Sequence, residues 1–145
     1  MKKVFSTFID WMMRSYSVAV EPAQRPINAK ISRQFHLWVA EKRYCRPDIS
    51  VGDVAEEFGV TVEDLAYYFS TVVGERFTTV RKKLRLEEAR RIICEHPEWR
   101  LRMVANRVGI LDKCNFRKQF YSLYGYSPSE WQKQCAEMKR EESHR

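Results

Sequence analysis

The chain has 145 residues, 44% of them hydrophobic and 13% aromatic, which is enough apolar material for one packed domain or two very small ones and excludes global disorder. Only 5 Gly and 5 Pro disfavour a turn-dense β fold. Lys and Arg number 26 against 19 Asp and Glu, and the net charge of +7 suits a polyanionic partner. The most apolar stretch, Val4 to Val20, is broken by Asp10 and Arg14 and falls short of the ~20 apolar residues of a membrane span. Lys2 and Lys3 imitate the start of a signal peptide, but no apolar run and no cleavage site follow, so an unprocessed cytoplasmic chain with no membrane partner is expected. Cys45, Cys94, Cys114 and Cys135 are dispersed in sequence, without Cys-x-x-Cys or Cys/His spacing. That pattern fits a reducing cytosol and argues against a structural zinc site.

In chain order, Lys3 to Ser17 reads as an amphipathic helix, with Phe5, Phe8, Ile9, Met12, Met13 and Tyr16 three and four apart. Glu21 to Asn28 contains Pro22 and Pro26 and reads as a linker, so residues 1–29 form a leading segment. A helix is expected from Lys30 to Arg43, with Ile31, Phe35, Trp38 and Val39 inward and Pro47 closing the region. Ser50 with Asp53, and Thr61 with Asp64, are helix-capping pairs for two short helices, the first ending at Gly59 and the second near Gly74. A long helix follows from Arg76 to His96 and stops at Pro97. Leu101 to Arg107 makes a short helix ending at Gly109. Asp112 opens another that ends at Gly125, and Ser127-Pro128-Ser129-Glu130 opens the last, which carries Trp131. Residues 136–145 read as a charged tail that frays from Lys139. No segment alternates with period two, so the fold is expected to be all-α.

One motif occurs twice. Val54, Ala55 and Gly59 match Val104, Ala105 and Gly109 at a separation of fifty. Leu65, Phe69, Gly74 and Val80 then match Phe116, Phe120, Gly125 and Trp131 at fifty-one. The steric logic is that of a helix-turn-helix. A small Ala sits where two steeply crossed helices approach most closely, a Gly four residues later takes positive φ in the turn, and the next helix returns apolar side chains to the crossing. A single copy fits any corner between two helices. Two copies joined by one helix, residues 50–74 and 100–125 around 76–96, favour DNA binding within a 30–135 domain.

These residues resemble the DNA-binding region of AraC/XylS-type bacterial transcription regulators. The resemblance rests on Leu84-Arg85-Leu86-Glu87-Glu88-Ala89-Arg90-Arg91-Ile92-Ile93 and on Val104-Ala105 with Val108-Gly109. Asp112, Phe116, Phe120 and Tyr124-Gly125-Tyr126-Ser127-Pro128-Ser129-Glu130-Trp131 complete it. Ile110 stands where the family usually has Phe, Cys114 where it usually has a small polar residue, and the first recognition helix is unusual. The resemblance implies seven helices, two helix-turn-helix units bridged by a long helix, each presenting a recognition helix to the major groove. A connector of about twenty residues spans roughly 30 Å, comparable to the ~34 Å between successive major grooves on one DNA face.

Charge divides unevenly. The first unit holds Asp53, Glu56, Glu57, Glu63 and Asp64 and no Lys or Arg, a net of −5. The second holds Arg100, Arg102, Arg107, Lys113, Arg117 and Lys118 against Asp112, a net of +5. Phosphate contacts dominate affinity for DNA, so the second unit is expected to carry binding. On its recognition helix Lys113, Arg117 and Lys118 point outward, Asn115 is a partner for adenine, and Cys114 lies among them. Phe116, Phe120 and Leu123 are expected in the core. In the first unit the positions that match the family's base readers are Glu63, Ala66 and Tyr67.

Most of Tyr67, Tyr68, Phe69, Tyr121, Tyr124 and Tyr126 are expected to pack rather than stack on bases, Trp38, Trp99 and Trp131 belong to the core, and Glu87-Glu88 is expected on a solvated face. His36, His96 and His144 lie apart, and no catalytic constellation, phosphate loop, cofactor or metal site is expected. The segment before the DNA-binding region is too short for an effector-enclosing barrel, so direct small-molecule sensing is not expected. The reading is a sequence-specific regulator that binds double-stranded DNA as a monomer or weak homodimer, with RNA polymerase as a further candidate partner. The competing reading is a protein-interaction adaptor with residual DNA affinity.

Overall fold

A computed structural model describes residues 25–144. Among them there are seven α-helices and no strand: α1 Arg25–Ala40, α2 Val51–Phe58, α3 Val62–Tyr68, α4 Phe77–Glu95, α5 Leu101–Arg107, α6 Lys113–Tyr124 and α7 Pro128–Ser143. A 3-10 turn covers Arg43–Cys45, and a π-helical turn, Phe69–Val73, prolongs α3. The expected helix at Lys3 to Ser17 lies outside the described residues. The chain forms two compact units, the first containing residues 25–43 and 49–81, the second 44–48 and 82 onward, with the boundary inside α4.

Helix starts follow the side chains that satisfy the first free N–H groups. Ser50 with Asp53, Thr61 with Asp64, and Ser127 with Glu130 each form a reciprocal capping box, and Asp112 accepts from the Asn115 backbone N–H. The stops are glycines in the left-handed region: Gly59 at φ 70°, Gly109 at 88° and Gly125 at 78°.

Three boundaries differ from the sequence reading. α1 begins at Arg25 rather than Lys30 and takes in residues assigned to the linker. Pro26 sits in the first helical turn, where its missing N–H costs nothing. Asn28 is consequently buried on the same stripe as Ile31, Phe35 and Trp38. α1 also ends at Ala40 rather than Arg43, because Lys42 takes φ 54°. The charged tail does not fray at Lys139. α7 continues to Ser143, and Lys139 Nζ donates to the Glu95 carbonyl, capping the end of α4.

The first unit is built on an aromatic core. Phe35 and Phe69 meet edge-on at 5.1 Å, Phe69 meets Phe77 at 5.2 Å, and Trp38 meets Phe77 at 5.4 Å. Lys30 Nζ donates to the Gly59 carbonyl at 2.9 Å, tying α1 to the turn between α2 and α3. In the second unit Leu86, Ala89 and Ile93 of α4 pack with Val104, Ala105, Val108, Phe116, Phe120, Trp131 and Cys135. Arg85 donates to the carbonyls of Tyr44 and Arg46 at 2.5 and 2.7 Å, which fixes the 44–48 segment on this unit.

The expected solvated face at Glu87-Glu88 is corrected. Glu88 is only 2% exposed. Arg91 grips it with Nε–Oε2 at 3.0 Å and Nη2–Oε1 at 2.6 Å, and reaches Glu95 at 2.6 Å. Glu87 accepts the Tyr124 hydroxyl at 2.5 Å. This part of α4 is packed around most of its circumference, so its charges are paired internally instead of being hydrated. The hydrogen bond that Arg91 donates to Glu88 leads the effects that raise the Arg91 pKa. Arg91→Ala removes the two-pronged partner of the Glu88 carboxylate in the core. It should cost about 2–3 kcal/mol in urea unfolding, below the range for a fully buried pair because Arg91 itself is partly hydrated.

Candidate nucleic-acid interface

Each unit contains a helix-turn-helix, α2–α3 in the first and α5–α6 in the second. In both, the repeated Ala is buried at the crossing: Ala55 with Val54 and Phe58, and Ala105 with Val104 and Val108. The second helix of such a motif presents its outer face, most of all its N-terminal half, to base edges.

α6 turns Phe116 and Phe120 inward and continues that row with Tyr124, four residues on. Tyr124 therefore takes the core position expected of Leu123, which lies about 100° off the stripe and is 37% exposed. Arg90 sits over the Tyr124 ring at 5.0 Å and the Trp131 ring at 4.6 Å, and Trp131 Nε1 donates to the Arg90 carbonyl at 2.9 Å. Tyr126 stacks on Trp131 at 5.7 Å. These rings brace the inner side and C-terminal end of α6, so they are packing residues and form no stacking platform. Burial first, then the bond to Glu87, raises the Tyr124 pKa.

The opposite face of α6 is exposed and basic. Lys113, Cys114, Asn115, Arg117 and Lys118 all face solvent. Lys113, Arg117 and Lys118 make no ion pair or side-chain hydrogen bond among the described residues. Lys113 and Arg117 share a row at i and i+4, and Cys114 and Lys118 form the adjoining row. Tyr121 completes the first row at 59% exposure, an exception among aromatic residues most of which were expected to pack. The four-residue spacing from Lys113 through Arg117 was the sequence signal for it. Among the unit's other cations, Arg100, Arg102 and Arg107 are exposed, and Arg107 lies over the Trp99 ring at 5.2 Å.

The corresponding face of the first unit has a different chemistry. Glu63, Ala66 and Tyr67 are exposed on α3, and no cation stands among them. α3 is seven residues long against twelve for α6. The Tyr67 carbonyl accepts both the Ser70 hydroxyl at 3.1 Å and the Thr71 hydroxyl at 2.6 Å. Such back-bonding competes with the regular ladder, and the chain widens into the π turn at Phe69–Val73. Three of the five acids have local work. Asp53 and Asp64 close capping boxes, where they also face the positive helix ends, and Glu57 pairs with Arg43 at 3.7 Å. Glu56 and Glu63 are exposed and make no ion pair or side-chain hydrogen bond among the described residues.

No described helix is long and apolar enough to cross a membrane. The family model of a helix-turn-helix domain matches residues 54–134. Among solved structures, a transcriptional regulator with an AraC-type DNA-binding domain from Chromobacterium violaceum is 19% identical. That match covers 77% of this chain and 96% of the other at a TM-score of 0.65. A DNA-binding transcriptional dual regulator from Escherichia coli K-12 is also 19% identical, over 83% of this chain and 99% of the other, at 0.63. The C-terminal domain of AraT, a response regulator from Geobacillus stearothermophilus, is 24% identical over 79% and 86%, at 0.59. No curated protein matches the sequence.

Proposed function

The chain belongs to the AraC-type family of helix-turn-helix DNA-binding transcription regulators, and from that premise we propose that it binds double-stranded DNA sequence-specifically in the cytoplasm, reading the major groove mainly with α6. The observation that carries this reading is the outer face of α6, where Lys113, Arg117 and Lys118 stand exposed without ion pairs among the described residues. Arg and Lys suit guanine O6 and N7, and Asn115 suits adenine N6 and N7. Arg100, Arg102 and the Tyr121 hydroxyl supply donors for phosphates, which set register and orientation on the duplex. The first unit, with Glu63, Ala66 and Tyr67 on its recognition helix, contributes little attraction to the backbone.

A salt titration of DNA binding by fluorescence anisotropy tests this. Each neutralised phosphate contributes about −0.9 to the slope of log K against log salt. A monomer binding through the second unit should give a slope of about −3 to −5. A slope near zero means no phosphate interface and returns the chain to the adaptor reading. A slope near about −10 means that both units, or two copies, engage.

A further inference from the structure

Cys94 on α4 and Cys135 on α7, forty-one residues apart in sequence, meet in the core of the second unit, at 8% and 0% exposure. Neither is in a disulfide. Two cross-helix bonds set the register. One turn earlier on both helices Trp131 Nε1 donates to the Arg90 carbonyl, and Lys139 Nζ, one turn beyond Cys135, reaches the carbonyl of Glu95, the residue after Cys94. The bond between positions 90 and 131 therefore sets Cys94 and Cys135, each one turn further on, side by side in one hydrophobic cluster. Arg90 and Lys139 are within electrostatic reach of Cys135. The buried Arg90 Nε–H has no hydrogen-bond acceptor among the described residues. Burial, and next the neighbouring Cys94, push the Cys135 thiol up to about 12, so Cys135 keeps its proton in the metal-free chain.

The ligand chemistry is narrow. Among the described residues no group of three or more His, Cys, Asp or Glu side chains could hold a metal ion. Zinc wants four ligands, and calcium and magnesium want six or more oxygens. A linear dithiolate needs only two sulfurs, and soft thiolates select soft cations. Metal–sulfur bonds of about 2.3 Å place the two sulfurs of such a complex about 4.6 Å apart, a spacing suited to two side chains packed in one cluster. We propose that Cys94 and Cys135 form a two-coordinate site for a thiophilic monovalent cation of the Cu(I) and Ag(I) class. Binding forms two metal–sulfur bonds, breaks two S–H bonds and releases two protons to solvent, and no electron is transferred. The complex carries one negative charge, which Arg90 and Lys139 offset. Occupancy links the last helix to the connecting helix within the unit that carries α6.

The test uses the full chain with Cys45→Ser and Cys114→Ser, which leaves only the buried pair, and Ag(I) as the probe because it needs no reductant. One Ag(I) should bind per chain, two sulfur neighbours should appear in X-ray absorption, and the thermal midpoint should rise by about 5 °C or more. Adding Cys94→Ala or Cys135→Ala should weaken binding at least 100-fold and abolish the two-sulfur signature. Should an alanine variant fail to fold, maleimide labelling during brief urea exposure decides: bound Ag(I) must protect both Cys94 and Cys135. No binding, a lowered midpoint, binding that ignores both alanine changes, or unprotected thiols would each overturn the assignment.

Discussion

Gly109→Ala should destabilise the second unit by about 2–4 kcal/mol, and Gly59→Ala the first by only about 1–2, although the two glycines occupy equivalent turns. Both lie in the left-handed region, at φ 88° and 70°, so any side chain meets the same backbone penalty at each. The surroundings separate them. A Cβ on Gly109 would stand 2.4 Å from the Cys45 carbonyl oxygen. That is backbone, held where Arg85 bonds the flanking carbonyls of Tyr44 and Arg46, and the Arg85 guanidinium carbon itself would lie 3.4 Å from the new Cβ. A Cβ on Gly59 would meet Lys30 Nζ at 2.7 Å, the tip of a flexible side chain that can swing away for the loss of one exposed hydrogen bond. Urea unfolding of both variants measures the difference. Equal losses would mean that the 44–48 segment moves aside, and that Arg85 does not hold it.

The repeat, the capping pairs and the positions of the stops were legible in the sequence because each rests on local chemistry. Ser50, Thr61, Asp112 and Ser127 cap the helices they were expected to cap, and both Ala–Gly pairs stand where the crossing requires them. What was not legible depended on contacts far along the chain. Glu88 looked solvated because no nearby pattern reveals that α4 is enclosed there. Cys94 and Cys135 looked dispersed because only the pairing of α4 with α7 makes them neighbours. Pro26 misled for another reason: a proline breaks a helix interior but is tolerated in a first turn, and the helix signal upstream of Lys30 was too weak to decide between them.

The site residues divide in the same way. The outward row through Lys113 and Arg117 follows from four-residue spacing against Phe116 and Phe120, and the structure adds Tyr121 to it. The charge of −5 on the first unit overstated its repulsion of DNA, because sequence alone does not distinguish capping acids from free ones. With Asp53, Asp64 and Glu57 engaged, the free acids reduce to Glu56 and Glu63.

That division sharpens the expected behaviour of DNA-binding variants. Lys113→Ala and Arg117→Ala should each weaken binding by about 1–3 kcal/mol if they read bases, and Glu63→Ala and Tyr67→Ala should cost less. Base and phosphate roles separate by their signatures. A lost base contact relaxes specificity at one operator position, whereas a lost phosphate contact weakens all sequences alike and lowers the magnitude of the salt slope by about one. Tyr121→Phe should show the uniform weakening without the change in slope, since it removes a neutral hydroxyl, at a cost of about 0.5–1.5 kcal/mol. The paired change Glu56→Gln with Glu63→Gln should tighten binding, and the gain should shrink as salt rises, because exposed charges more than about 10 Å from the duplex are already screened at 0.1 M. Glu63→Gln with Asp64→Asn is a poorer probe, since Asp64 closes the α3 capping box and its loss would mix repulsion with helix stability. Anisotropy titrations showing Lys113 and Arg117 neutral but Glu63 and Tyr67 crippling would reverse the assignment. In that case α3 reads the bases through Glu63 accepting from cytosine, and the exposed cations of α6 serve the backbone alone.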